Sequence, residues 1–105
     1  MNWNTPEKQR FIKAILSLKT EGETRHFLRD LMTESEINDF AKRLTTAIML
    51  SEQMPYTDIE KQTGFSSRTI ARVSKWLNNG ESGYKDVIGK IHHHPLSQIR
   101  KGLSL

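Results

Sequence analysis

The chain has 105 residues, no cysteine and a formal charge of +4, with 16 Lys and Arg against 12 Asp and Glu and 35% hydrophobic residues. That length fits one domain or one protomer of an intertwined pair, and a core so small often gains stability by dimerising. The absence of cysteine excludes a disulfide framework and a cysteine zinc site. With no long apolar run and a polar N-terminus, Met1–Arg10, the chain reads as cytoplasmic, neither membrane-spanning nor secreted.

The predicted elements are all helical. Thr5-Pro6-Glu7 supplies an N-cap, a proline at the first helical position and an acid in the first turn. Phe11, Ile12, Ile15 and Leu16 then recur at helical spacing, predicting a helix to about Lys19. Glu21-Gly22-Glu23 reads as a break, with a second helix from Thr24 carrying Phe27, Leu28, Leu31 and Met32 on its apolar side. Thr33-Glu34-Ser35-Glu36 is a capping box. It opens a third helix with Ile37, Phe40, Ala41, Leu44, Ala47, Ile48 and Met49 inward, ending before Pro55. Thr57-Asp58-Ile59-Glu60 is a second capping box, and Ser66 or Ser67 caps the helix after it. Asn78-Asn79-Gly80 is a stop. A last helix is predicted from Ser82 to Ile91 with Tyr84, Val87, Ile88 and Ile91 inward. The domain is thus read as residues 1–91 and the remainder, 92–105, as a C-terminal tail.

Tyr56 to Leu77 reads as two short helices joined at Gly64, a helix-turn-helix over 57–77. Ile59 is placed to pack on Phe65, Ile70 and Val73. On the second helix Ile70, Val73 and Leu77 share one face, and Arg68, Arg72 and Lys75 share the opposite one. Charge is distributed accordingly: acids outnumber bases over residues 1–60, whereas 61–79 holds Lys61, Arg68, Arg72 and Lys75 and no acid. A localised basic face is the footprint of a polyanion site. The candidate DNA-binding residues are Ser67, Arg68, Thr69 and Arg72 near the start of the helix, with Lys75 placed for phosphate.

Four segments together resemble the Trp repressor family, and more closely its Trp-repressor-like branch: Leu31-Met32-Thr33 with Glu36; Arg43; Ile59 to Gly64 with Thr69-Ile70-Ala71-Arg72; and Leu77-Asn78-Asn79-Gly80 with Gly83-Tyr84. The resemblance spans about Asp30 to Ile88. It implies an all-α, intertwined helical homodimer with helix-turn-helix heads, binding double-stranded DNA at a near-palindromic operator as a transcriptional repressor. It also implies an effector pocket for an amino-acid corepressor at Thr33, Arg43 and Arg72. Where that family has a glycine and a serine on the recognition helix, this chain has Val73 and Trp76, both far larger, which argues against inherited tryptophan control. No cofactor is therefore expected.

Other chemistry is sparse. His92-His93-His94 carries imidazoles that suit zinc, copper or nickel. Adjacent histidines do not converge well on one ion, so no metal site is expected there. No nucleophile–base pattern or phosphate loop is present, and an enzyme is not predicted. The reading from another class is a helical protein-interaction module whose basic face docks an acidic partner.

Overall fold

The computed structural model describes residues 1–91. Among the described residues there are six α-helices and no strand: α1 (Pro6–Leu16), α2 (Glu21–Leu31), α3 (Glu34–Ser51), α4 (Tyr56–Thr63), α5 (Ser67–Asn79) and α6 (Gly83–Ile91). The expected all-α class is what the chain adopts. It divides into two compact units, Met1–Ile37 and Asn38 onward.

In the N-terminal unit, side-chain caps set each helix start. The Thr5 hydroxyl accepts from the Lys8 N–H at 3.3 Å, ahead of Pro6. α1 stops at Leu16, short of the predicted Lys19, where the ladder tightens: the Leu18 N–H donates to the Ile15 carbonyl three residues back at 3.2 Å, and the Ser17 hydroxyl donates to the Ala14 carbonyl at 2.7 Å. The predicted break at Glu21-Gly22-Glu23 does not occur. Those residues are the first turn of α2, since the Thr20 hydroxyl accepts from the Glu23 N–H at 3.1 Å and donates to its carboxylate at 3.3 Å. Thr20 is thus the N-cap, and its two hydrogen bonds with Glu23 outweigh the low helix propensity of one glycine. The Thr33 box forms as predicted: the Glu36 N–H donates to the Thr33 hydroxyl at 3.1 Å, and the Thr33 N–H to the Glu36 carboxylate at 2.9 Å.

Neither α1 nor α2 buries a residue. Phe11, Ile12, Ile15, Leu16 and Leu31 all stay exposed, Leu16 by 75%. The same holds for the first half of α3, where Phe40 and Ala41, predicted inward, are exposed.

The second half of α3 is buried at Thr46, Ala47, Ile48 and Met49. Buried Thr46 is satisfied by donating to the Lys42 carbonyl at 2.7 Å. α3 ends in a Schellman closure: Gln53 has φ 62°, its N–H donates to the Leu50 carbonyl, and the Met54 N–H donates to the Met49 carbonyl. Pro55 follows in extended conformation, and its carbonyl accepts from the Asp58 and Ile59 N–H groups. α4 therefore begins at Tyr56. The Thr57 capping box does not form, because Thr57 already lies inside the helix and the start at Pro55 has no side-chain cap.

Two clusters make the core of this unit. Met49, Ile59 and Ile70 are buried together, with Leu50, Met54 and Phe65 against them. Ala47, Ile48, Val73, Leu77 and Ile88 form the other, flanked by Leu44, Leu50 and Tyr84. Ile59 thus packs with Phe65 and Ile70 as predicted, whereas Val73 belongs to the second cluster. α5 packs against both α4 and α6, which is why its apolar face is split between the two. Of the residues predicted inward on α6, Ile88 is buried and Tyr84 half-buried, but Val87 and Ile91 are exposed.

Candidate nucleic-acid interface

α4 and α5 meet through Gly64, which caps α4 at φ 78°, the left-handed region that glycine tolerates best. The turn is tied down by Thr63. Its buried hydroxyl donates to the Ile59 carbonyl at 2.8 Å and accepts from the Phe65 N–H at 3.1 Å. Ser66 is the cap of α5, and its hydroxyl accepts from the Thr69 N–H at 3.2 Å. Ser67, Arg68 and Thr69 are consequently the first three residues of the helix. Gly80 closes it: a Cβ there would lie 2.4 Å from the Trp76 carbonyl oxygen, so no side chain fits.

Burial of Ile70, Val73 and Leu77 turns the opposite face of α5 outward. Ser67, Arg68, Arg72 and Lys75 are all exposed, and so is Lys61 on α4. Thr69 is half-buried, and its hydroxyl is within 3.2 Å of that of Ser66. The sequence placed it among the base-contacting candidates. Here its hydroxyl is shared with the cap, which leaves Ser67, Arg68, Arg72 and Lys75 as the outward set.

The helix termini add an electrostatic signal. α1, α2, α3, α4 and α6 each carry an acid in the first turn, at Glu7, Glu21 and Glu23, Glu34 and Glu36, Asp58, and Asp86. α5 carries none and has Arg68 there instead. An acid at that end gains roughly 0.3–1 kcal/mol from the helix dipole. α5 forgoes it, so its positive N-terminus and its cations remain available to an outside anion.

Behind this face lies a recess of about 120 Å³, lined by Arg43, Thr69, Arg72, Val73, Trp76 and Tyr84. It brings together four of the five residues predicted for an effector pocket. The fifth, Thr33, belongs to the N-terminal unit and caps α3. Sequence reasoning missed Tyr84 as a lining residue and took it only as core; its place in the Gly83-Tyr84 match is the signal that could have raised it. Val73 is buried to 5% exposure, while Trp76 is 58% exposed and forms a wall rather than a plug. The Arg43 guanidinium is engaged by the Asp39 carboxylate at 2.9 Å and sits 5.1 Å from the Phe40 ring centroid. His92–His94 lie outside the described residues, and no helix among the described residues is long and apolar enough to cross a membrane.

Residues 7–92 match the family model for the Trp repressor protein. The uncharacterised protein YerC of Bacillus subtilis is 40% identical over 85 residues, covering 81% of this chain and 82% of that one. The crystal structure of a TrpR-like protein from Eubacterium eligens superposes with a TM-score of 0.82 at 37% identity, covering 87% of this chain and 94% of the other. A crystal structure from Staphylococcus aureus, described as a candidate Trp repressor, also gives a TM-score of 0.82, at 28% identity over 90% of this chain and 98% of its own.

Proposed function

We propose that this chain, which belongs to the Trp repressor family, is a sequence-specific DNA-binding transcriptional repressor that reads a near-palindromic operator as a homodimer. The observation that carries the reading is α5. Its buried face is held by two core clusters, its outward face presents Arg68, Arg72 and Lys75, and its first turn holds no acid. Arg68 and Arg72 sit in the half of the helix that enters the major groove in such motifs, where arginine reads guanine through two hydrogen bonds. Ser67, beside the helix N-terminus, and Lys75, further along, suit phosphate.

The N-terminal unit supports the dimer. Helices that bury nothing yet expose Phe11, Ile12, Ile15 and Leu16 do not stand alone in water. A second copy of the same chain covers such a surface symmetrically, and dimeric readers of this motif meet half-sites about one DNA turn apart, roughly 34–36 Å.

The test is a competition shift assay on an operator selected from random duplexes. The specific site should outcompete random DNA by about three orders of magnitude or more at physiological salt. Arg68→Ala should relax base preference at one position per half-site, and Lys75→Ala should weaken all sequences alike and lower the salt slope by about 1 per half-site. Equal competition by random DNA sinks the proposal in favour of an acidic protein partner on the same face. Light scattering that gives a monomer at micromolar concentration removes the dimer.

A further inference from the structure

Lys42 lies on α3, outside α5 and outside the recess. It is exposed, yet its place is set by the residues below it on the helix. Lys42, Thr46 and Met49 follow one another at spacings of four and three, so they share one face of α3. Thr46 and Met49 are buried, and Met49 packs with Ile59 of α4 and Ile70 of α5. The same face carries Lys42 out beside the α4–α5 turn. There its ammonium lies 5.8 Å from the centroid of the Phe65 ring, within reach of a cation–π contact. Phe65 is half-buried, one residue ahead of the Ser66 cap and three ahead of Arg68. A cation from a distant part of the chain is thus held at the start of α5.

No acid answers its charge. Asp39, the acid three residues back, is engaged by Arg43 at 2.9 Å. Among the described residues Lys42 has no ion pair of its own. An aromatic face attracts an ammonium without neutralising it. Residues 61–79 add Lys61, Arg68, Arg72 and Lys75 with no acid. Lys42 therefore extends a positive surface that the chain itself leaves uncompensated, and such a surface draws a polyanion. Lysine meets phosphate as a compact charge on a flexible stem, whereas arginine has the planar fork that reads a base edge.

We propose that Lys42 is a phosphate-binding residue of the DNA interface, an arm from α3 that the Phe65 ring holds beside the α4–α5 turn. This rests on the DNA-binding role proposed above. The contact adds affinity and fixes how the head sits on the duplex, and it carries no base preference.

Lys42→Met keeps the apolar stem and removes the charge. The Thr46 hydroxyl retains its acceptor, because that bond uses the Lys42 backbone carbonyl. Shift assays over a salt series, on the selected operator and on a random duplex, should show the same loss on both. Each phosphate contact contributes about 0.9 to the log–log salt slope, so a dimer losing one per half-site should have a slope lower by about 2. The wild-type advantage should consequently shrink about tenfold between roughly 50 and 200 mM salt. Lys42→Arg keeps the charge and the ring contact and should stay within about threefold of wild type. An operator scan with single uncharged methylphosphonates should find a phosphate in each half-site whose neutralisation weakens the wild type but not Lys42→Met. A wild-type salt slope in Lys42→Met, whether or not that variant unfolds earlier in urea, makes Lys42 a structural clamp and overturns the proposal. So does a loss confined to the operator, which would assign Lys42 to bases. Random duplex suffices for the slope, so a failure of operator specificity leaves the Lys42 result decisive. A wild-type chain that binds no duplex at all removes the DNA-binding role, and Lys42 with it.

Discussion

Gly64→Ala isolates the backbone cost of the turn between α4 and α5. An added Cβ at Gly64 meets no atom within 4 Å, so no contact is strained. What remains is the φ of 78°. The left-handed region costs an L-residue about 1–2 kcal/mol relative to glycine. The variant recovers about 0.4–1 kcal/mol because alanine has less freedom in the unfolded chain. The net expectation is a loss of about 1 kcal/mol, or a melting point lower by about 4–8 °C for a domain of this size. Gly64→Asn should lose less, since asparagine tolerates the left-handed region. Gly80→Ala should lose more, because its Cβ would meet the Trp76 carbonyl oxygen at 2.4 Å and backbone has to move; overpacking of that kind costs about 1–3 kcal/mol. Urea unfolding of the four proteins at one protein concentration measures the order, concentration being held because a dimer's stability depends on it. A neutral Gly64→Ala, or a Gly64→Asn as damaging as alanine, refutes the left-handed turn and with it the placement of α5.

Two further outcomes follow from the ends of α3. Gln53→Gly should stabilise the fold by up to about 1 kcal/mol in the same unfolding assay, because Gln53 occupies the left-handed position of the Schellman closure at φ 62°. The Glu36 carboxyl is held below the ordinary glutamate range, first by the Thr33 backbone N–H and then by the Thr33 side chain. A depressed carboxyl stabilises the fold above its unfolded value, and that contribution disappears as pH falls through the folded one. The stability gap between wild type and Glu36→Gln should therefore be widest near neutrality and close in acid, read by unfolding midpoints across pH; a gap that widens in acid contradicts the Thr33–Glu36 box.

Most of the helical plan was legible because capping and turn chemistry is local. Thr5-Pro6, Thr33 with Glu36, Gly64 and Ser66 act on backbone groups within four residues, and each does in the fold what its residue type predicts. The outward basic face of α5 was legible for the same reason: once Ile70, Val73 and Leu77 point inward, helical geometry sends Arg68, Arg72 and Lys75 the other way. Thr20-Glu21-Gly22-Glu23 had the same local signature and was hidden only by its glycine. Thr57 misled because a capping box is conditional on where the preceding chain delivers the helix start, and the closure at Gln53 followed by Pro55 delivers it two residues early.

By itself, then, the amino-acid sequence determined the class, the caps, the turn and the sign of charge on α5, all of which depend on neighbours along the chain. Only the tertiary structure decided which apolar faces find partners within one chain. Val73 goes to the α6 side rather than to Ile59, Val87 and Ile91 stay exposed, and α1 and α2 bury nothing. It alone decided that Arg43, Thr69, Arg72, Val73, Trp76 and Tyr84 line one recess of about 120 Å³. A hydrophobic period states that a face will be buried and is silent on what buries it, and the volume left between packed helices depends on side chains far apart in sequence.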